Sequence, residues 1–460
     1  MDNKNKKRKF RLRSAQLIPL SFLGVIILGT ILLMLPCAKA GEGSADLTTA
    51  FFTSTTSICV TGLVVVDTFA YWTLFGKIVI LCLIQIGGFG VIAITSIVVM
   101  MLGKKHTLSN ALLLQDTYNM NSISDVWHFL LVVFKGTFLV EMLGAALYMV
   151  KFIPRFGILR GIWQSIFTSV SAFCNAGIDI MGPDSLVGYQ KSPYILFVTM
   201  FLIVMGGLGF VVWLDMYRTL RKGIRWKYSI RTMIKHLSVH SKLVLSLTLA
   251  FILLGAIAVF CLEYNNQDTL GPLSVGDKVT NSLFQSVTFR TAGFSTVPQG
   301  ALRESTGLVG CILMFIGGSP VGTAGGVKTV TFFVVMMNAF SFVKKRKENV
   351  IFGRKVTSEM IHKASAIVLI SFAVTVLLLL MLMIVDTMEF MSGAYETFSA
   401  TATVGLSRNL TPNLNTAGRW VIIIAMYLGR IGPISMGLFF NYNSQDKNKV
   451  SYADGNFYIG

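Results

Sequence analysis

Cys59-Val60-Thr61-Gly62-Leu63 returns three more times along the chain, as Cys174-Asn175-Ala176-Gly177-Ile178, Arg290-Thr291-Ala292-Gly293-Phe294 and Ala402-Thr403-Val404-Gly405-Leu406. The central glycines recur at a nearly constant interval, about 115 residues each time. Each follows a moderately apolar stretch rich in Ser, Thr, Phe and Ala, at 50–58, 165–173, 283–289 and 395–401. With their flanks these stretches cover about ten to fifteen residues, too few to cross a bilayer but enough for a re-entrant helix. A second marker keeps the same step: Gly87-Gly88-Phe89-Gly90, Gly206-Gly207-Leu208-Gly209, Gly317-Gly318-Ser319-Pro320 and Leu428-Gly429-Arg430-Ile431-Gly432-Pro433. Two independent markers with one period predict a fourfold internal repeat.

The composition says where such repeats sit. The 460 residues are 53% hydrophobic and only 13% charged, with a mean hydropathy of +0.68, which leaves too little polar surface for a soluble chain of this length. No charge interrupts residues 15–36, 78–102, 194–214, 243–262 or 364–385. Each run is near the ~20 residues that span a bilayer as a helix. Backbone in lipid must satisfy its own hydrogen bonds, so repeated runs of this length mean a helical bundle. No leader-cleavage pattern follows the first run, which is read as a permanent span.

The net charge of +19 raises nucleic acid as a partner, but its distribution argues against it. Seven Lys/Arg fall in residues 1–13, eight in 216–242 and seven in 343–363, between the hydrophobic runs. That is the positive-inside pattern, and it is compatible with a basic surface for anionic lipid or a cytosolic partner. Cys37, Cys59, Cys82, Cys174, Cys261 and Cys311 show no CxxC spacing and read as small buried residues. His236 and His240 are four apart, as in a helical metal pair, but stand in a Lys/Arg-rich loop without acids, which argues against a metal there.

The expected fold is an all-α integral membrane bundle. Each repeat reads helix, re-entrant helix, Gly-centred loop, helix, around one pore per protomer. Spans are expected at 15–36 and 73–102, 127–150 and 192–215, 241–263 and 305–343, and 364–385 and 417–441. The chain then divides into a basic cytoplasmic N-terminus (1–14), repeat 1 (15–103), repeat 2 with a cytoplasmic lead-in (104–221), repeat 3 with a broken helix (222–350), repeat 4 (351–441) and a cytoplasmic tail (442–460). Eight crossings with the N-terminus inside return every basic cluster to the cytoplasm and admit all four Gly loops from the outer face of the cell membrane.

A dehydrated cation needs replacement oxygens, and backbone carbonyls of extended loops supply them. Successive carbonyls face an axis only where some residues take angles that a side chain resists, which glycine permits. The candidate filter is therefore Val60, Thr61, Gly62 and Leu63; Asn175, Ala176, Gly177 and Ile178; Thr291, Ala292, Gly293 and Phe294; and Thr403, Val404, Gly405 and Leu406. The re-entrant helices would turn their partly negative C-terminal ends toward the cavity below, favouring a cation there. A single such glycine more often serves close packing; four in register point to a pore.

Thr403-Val404-Gly405-Leu406-Ser407 resembles the filter signature of tetrameric potassium channels. From about residue 15 onward the chain resembles the Trk/Ktr/HKT superfamily of potassium transporters, most of all the bacterial Ktr pore subunit. Its strongest family-like motifs are Thr288-Phe289-Arg290-Thr291-Ala292-Gly293-Phe294 and residues 317–329, GGSPVGTAGGVKT. The extra N-terminal hairpin typical of the Trk branch is lacking, which favours Ktr. In plant relatives a Ser at the first filter position goes with sodium transport, so Gly62 speaks for potassium. The flanking residues differ among the loops, so equal ion contacts are not expected. The resemblance implies a homodimer, one pore in each protomer, docked on a cytosolic nucleotide-binding (RCK-type) regulatory ring. No bound cofactor is expected. The transported ion is K+, with Na+ a candidate activator, and channel versus sodium-coupled symporter stays open.

Residues 307–343 exceed one crossing, and the middle holds Gly317, Gly318, Ser319, Pro320, Gly322, Thr323, Ala324, Gly325 and Gly326, a poor helix. Non-helical backbone at membrane depth is tolerated in protein or beside a water-filled cavity. A flexible gate below the filter is expected, as the resemblance also implies. Arg430, aligned by the repeat with Phe89 and Leu208, is expected beneath the filter as a positive barrier near the gate; an ion pair with a neighbouring acid is the plainer alternative. Lys328 either anchors the inner end of the gate or snorkels to the cytoplasm. Arg290 is expected in a scaffold salt bridge, with Glu396 as candidate partner; Lys135 and Glu141 share one span but are six apart and do not face each other well, so nothing beyond structural pairing is read from them. The chain has no GxxxxGK[ST] loop and no converging acids or histidines, so it is not read as an enzyme. A sodium or ammonium pathway of the same fold is the closest rival.

Overall fold

The computed structural model describes residues 14–90, 123–346 and 348–432. The basic N-terminal cluster, most of the lead-in to repeat 2 and the 442–460 tail lie outside the described residues. Fourteen helices among the described residues position the site. They are α1 (Ser14–Leu33), α2 (Leu47–Ile58), α3 (Leu74–Phe89), α4 (Ile123–Phe156), α5 (Ile158–Cys174), α6 (Pro193–Gly207), α7 (Phe210–Trp226), α8 (Val239–Glu263), α9 (Val275–Phe289), α10 (Glu304–Phe315), α11 (Thr329–Val343), α12 (Ser358–Val385), α13 (Phe390–Thr401) and α14 (Thr416–Ile431). A small antiparallel hairpin, β1 (Val350–Ile351) with β2 (Arg354–Lys355), joins α11 to α12.

Residues 129–156, 239–263 and 358–385 form three helices long and apolar enough to span a membrane, and α6 with α7 makes a fourth if that bent pair counts as one. Leu139, Leu254, Leu369 and Ile384 point large apolar side chains outward from them. A helix that is apolar all round and still exposed suits lipid as its solvent. The expected span 192–215 needs correction, and the spans 73–102 and 417–441 run beyond the described residues. α3 closes at Gly90 and α14 at Gly432, with 91–102 and 433–441 outside the described residues. α6 ends at Gly207 and α7 leaves it at 100°, because Gly209 takes a φ of 90° that turns the chain within one residue. The 305–343 run is two helices, α10 and α11, with non-helical backbone between them. α4 runs from 123 to 156, beyond the expected 127–150.

The short helices α2, α5, α9 and α13 lie inside the bundle. α2 packs on α1 and α3, α5 on α4 and α6, α9 on α8 and α10, and α13 on α12 and α14. Each outgoing helix also packs on the next short helix: α3 on α5, α6 on α9, α10 on α13, and α14 back on α2. The packing thus closes into a cycle. Its joints are small residues. Ser54, Ser169 and Ser286 hydroxyls donate to the carbonyls of Ile26, Glu141 and Ile252. A Cβ on Gly29, Gly144 or Gly255 would strike those same hydroxyls. These Gly–Ser contacts form a third marker that keeps the period of the other two, and composition alone does not reveal it.

Candidate functional site

The short helices carry polar side chains into the centre of an apolar bundle. Thr55, Thr56, Ser57, Ser169, Ser171, Ser286, Thr288, Thr397 and Ser399 are all buried. Burial of a hydroxyl is tolerated when it is hydrogen-bonded, and several of these bonds hold the loop that follows. Thr56 Oγ1 accepts from the Gly62 amide and Ser399 Oγ from the Gly405 amide, both at 3.0 Å. Ser171 Oγ donates to the Ile178 carbonyl at 2.5 Å, and Thr288 Oγ1 to the Phe294 carbonyl at 2.6 Å. Each helix is thereby fastened to its own loop.

All sixteen candidate filter residues lie in these four loops. Two residues before each glycine the backbone is left-handed: φ is 54° at Val60, 60° at Asn175, 67° at Thr291 and 52° at Thr403. The glycines themselves take φ of 101°, 65°, 81° and 95°, a region closed to most side chains. They also meet. A Cβ on Gly62 would collide with the Ala176 carbonyl oxygen and one on Gly405 with the Thr61 oxygen. One on Gly177 would stand 2.5 Å from Gly293 Cα, and one on Gly293 2.6 Å from the Val404 oxygen. The order 62, 177, 293, 405 and back to 62 is a closed ring of backbone. Leu63, Ile178, Phe294 and Leu406 are buried behind it.

Gly87, Gly206 and Gly429 have another task. A Cβ on any of them would run into the carbonyl oxygen near the end of a short helix, at Ile58, Phe173 and Thr401 respectively. These glycines let the outgoing helix pass close. The same contacts correct the register of the second marker: Gly429, not Leu428, matches Gly87 and Gly206, and Gly432 matches Gly90 and Gly209 in φ. Arg430 therefore aligns with Gly88 and Gly207 rather than Phe89 and Leu208.

Between α10 and α11, residues 316–328 are non-helical, as their composition predicts. The segment touches the second and fourth quarters directly and is linked to the first through Arg430. Ser319 N donates to Gly207 O, Thr323 N to Gly206 O, and Phe210 N to Val321 O. A Cβ on Gly325 would meet Thr403 Oγ1 and Ala402 O, directly under the fourth loop. Three cationic side chains hold it, each through a carbonyl. Arg430 Nη1 donates to Thr323 O at 2.7 Å and Nη2 to Gly87 O at 2.5 Å. Lys328 Nζ donates to Ala324 O at 2.6 Å, so it points back to the segment rather than toward solvent. Arg290 donates to Gly317 O and Thr248 O, both at 3.4 Å.

The expected Arg290–Glu396 bridge does not form. Glu396 accepts from Ser407 Oγ at 2.7 Å and from Thr411 Oγ1, fixing the exit of the fourth loop instead of reaching Arg290. Glu141 accepts from Gln85 Nε2 at 3.0 Å and from the Cys174 thiol, not from Lys135. Charged groups six apart on a helix point to different faces. Among the described residues the salt bridge found is Lys355–Glu348, on the surface hairpin. Cys59, Cys174 and Cys311 are buried as expected, but Cys37, Cys82 and Cys261 are exposed. His236 stacks on Tyr228, and no group of metal-ligating side chains is present among the described residues.

Comparison with known proteins places the whole chain. The family model TrkH, described as cation transport protein, matches residues 3–451. The Ktr system potassium uptake protein B of Bacillus subtilis is 37% identical over 98% of this chain and 97% of its own length. The potassium/sodium uptake protein NtpJ of Enterococcus hirae is 35% identical over 99% of both. The structure of the potassium transporter TrkH from Vibrio parahaemolyticus superposes with a TM-score of 0.70 at 17% identity, over 95% of this chain and 87% of that one, a likeness of fold.

Proposed function

The chain belongs to the TrkH family of cation transport proteins, a transporter family that includes the Ktr potassium-uptake proteins, and on that premise we propose that it carries potassium through the ring of Gly62, Gly177, Gly293 and Gly405. The observation that carries this reading is the closed contact order of those four glycines, each at the C-terminal end of a buried helix. Four loops of alternating left-handed and glycine backbone offer carbonyls in place of ion hydration. The four helix ends add partial negative charge.

In this reading the four pseudo-repeats surround one pore in a multi-pass bundle with both termini cytoplasmic. Residues 316–328 are the gate, and Arg430 and Lys328 both latch it and raise the barrier to cations beneath the filter. The translocating protomers form a homodimer. They dock through the basic segments 218–235 and 344–355 on a cytosolic nucleotide-binding ring, with α11 as the lever from gate to ring. Anionic lipid competes for the same basic surface. The name of the Enterococcus relative gives the second reading, in which sodium shares the pathway or drives uptake.

The experiment is rubidium-86 uptake into proteoliposomes of the purified chain, with and without a sodium gradient and with and without the cognate ring. Saturable uptake blocked by excess potassium is expected, and dependence on ATP or ADP only with the ring. Uptake unaffected by potassium overturns the filter, and identical nucleotide dependence without the ring overturns the two-subunit scheme.

A further inference from the structure

Behind the ring lies a small cavity bounded by α6, α8, α9, the second loop and the 316–328 segment. Asn175, Gly207, Thr248, Ile252, Arg290 and Gly318 are among its lining residues. Its volume is about 20 Å3, room for one particle of water or halide size. Three of the lining residues carry buried polar atoms that have no hydrogen-bond partner among the described residues: Asn175 Nδ2, Thr248 Oγ1 and Arg290 Nε. All three side chains are more than nine-tenths buried, at 1%, 7% and 7% exposure.

Two of those atoms are donors alone. An amide NH2 and a guanidinium N–H only donate, while the threonine hydroxyl can donate or accept. The two other bonds of the guanidinium are long contacts to carbonyls, and no carboxylate among the described residues reaches it. A buried cation without a counter-charge is strongly unfavourable. A water molecule can satisfy all three by donating to the hydroxyl, but it leaves the charge of the guanidinium uncompensated. A monovalent anion accepts from all three and offsets the charge.

We propose that this cavity binds one chloride-sized monovalent anion, held by Arg290, Asn175 and Thr248. The anion would neutralise the Arg290 guanidinium where it stands behind the second and third loops. A bare cation there repels the ions that the ring is built to accept. Asn175 begins the second loop and Gly318 lies in the segment that Arg290 holds through Gly317, so the site sits where loop and segment meet.

Bromide is the probe. The full-length protein is crystallised with bromide replacing chloride, and the anomalous signal is read at the cavity. One bromide site is expected there in the wild type and is lost in Arg290→Gln. Thr248→Val removes one donor without touching the ring or the charge, and keeps the test valid if Arg290→Gln misfolds. It should weaken bromide occupancy about tenfold. This readout is independent of transport, so it stands apart from any failure of the potassium reading. In flux assays, replacing chloride by gluconate on both sides should lower rubidium uptake, with bromide restoring it and Thr248→Val needing more halide. Absence of bromide from the cavity of folded wild-type protein, together with equal uptake in chloride and gluconate, overturns the proposal and leaves water as the occupant.

Discussion

One outgoing helix is bent at a single glycine, and another is interrupted by a whole segment. α6 gives way to α7 at Gly209, with φ of 90°, and Gly90 and Gly432, which cap α3 and α14, take φ of 86° and 84°. α10 stops at Phe315, and α11 does not begin until Thr329. A glycine hinge turns the chain and fills no space. The 316–328 segment fills the space beneath the ring and takes its hydrogen bonds from neighbouring quarters. The same backbone signal, glycine where a helix should continue, therefore marks a corner after α6 and, after α10, the segment proposed as the gate. What separates them is the partners: the corner glycine Gly209 is met by the backbone of Pro320 and Val321, whereas cationic side chains gather on the segment.

That contrast can be broken most forcefully at Arg430. Its two charge-assisted hydrogen bonds are each worth about 1.5 kcal/mol or more, so Arg430→Ala should raise basal rubidium flux by on the order of a hundredfold. Deleting residues 318–325 should act in the same direction. Loss of flux in a folded variant would make Arg430 a structural tie instead. A glycine at which an outgoing helix passes a short helix should fail differently. Gly206→Ala drives a Cβ into the Phe173 carbonyl and should destabilise the protein by about 2 kcal/mol, read as a lower melting temperature. Gly207→Ala, whose Cβ meets nothing nearer than 3.7 Å, should be tolerated.

Smaller effects sharpen the comparison within the ring. Gly62→Ser should cut the preference for potassium over sodium by on the order of tenfold, measured by competition against rubidium uptake, because the new side chain must displace the Ala176 carbonyl. Unchanged discrimination would remove Gly62 from the filter. Ser399→Ala removes the acceptor for the Gly405 amide and should cost about 1 kcal/mol of stability. The third loop has Val287 at the corresponding position and ties Thr288 to Phe294 instead, so Val287→Ala should leave that fastening intact. Equal losses of loop order in both variants, by hydrogen exchange, would contradict the hydroxyl-anchor account.

The parts of this molecule that were legible in the sequence are those where backbone geometry leaves one residue type. Gly62, Gly177, Gly293 and Gly405 could be read because a strongly positive φ in a crowded ring admits little else. The non-helical 316–328 segment was legible for a related reason, since five glycines and a proline cannot hold a helix. Register was harder: either Leu428 or Gly429 can open the fourth copy of the marker, and only the contact with Thr401 fixes which one passes the short helix. The break at Gly209 hid in an apolar run because hydropathy does not register direction. Partners of buried charges were the least legible. Arg290 and Glu396 have opposite signs and lie near loops, but their hydrogen bonds go to carbonyls and hydroxyls whose positions depend on the folded bundle. The Ser54, Ser169 and Ser286 joints were visible only as a Ser/Thr-rich composition.

One chain supplies all four quarters of the ring, and this has a genetic consequence. In a ring of four identical subunits any insertion appears four times and converges on the axis. The 316–328 segment already lies against Gly206 and Gly207 of one quarter, Thr403 of another and Arg430 beside Gly87; three further copies would claim the same volume. Joining the quarters into a single polypeptide lets selection act on each quadrant alone. In the proposed gate reading, an asymmetric plug is thus a device that such a chain can evolve by a local change, whereas a homotetramer would have to place it on a separate polypeptide.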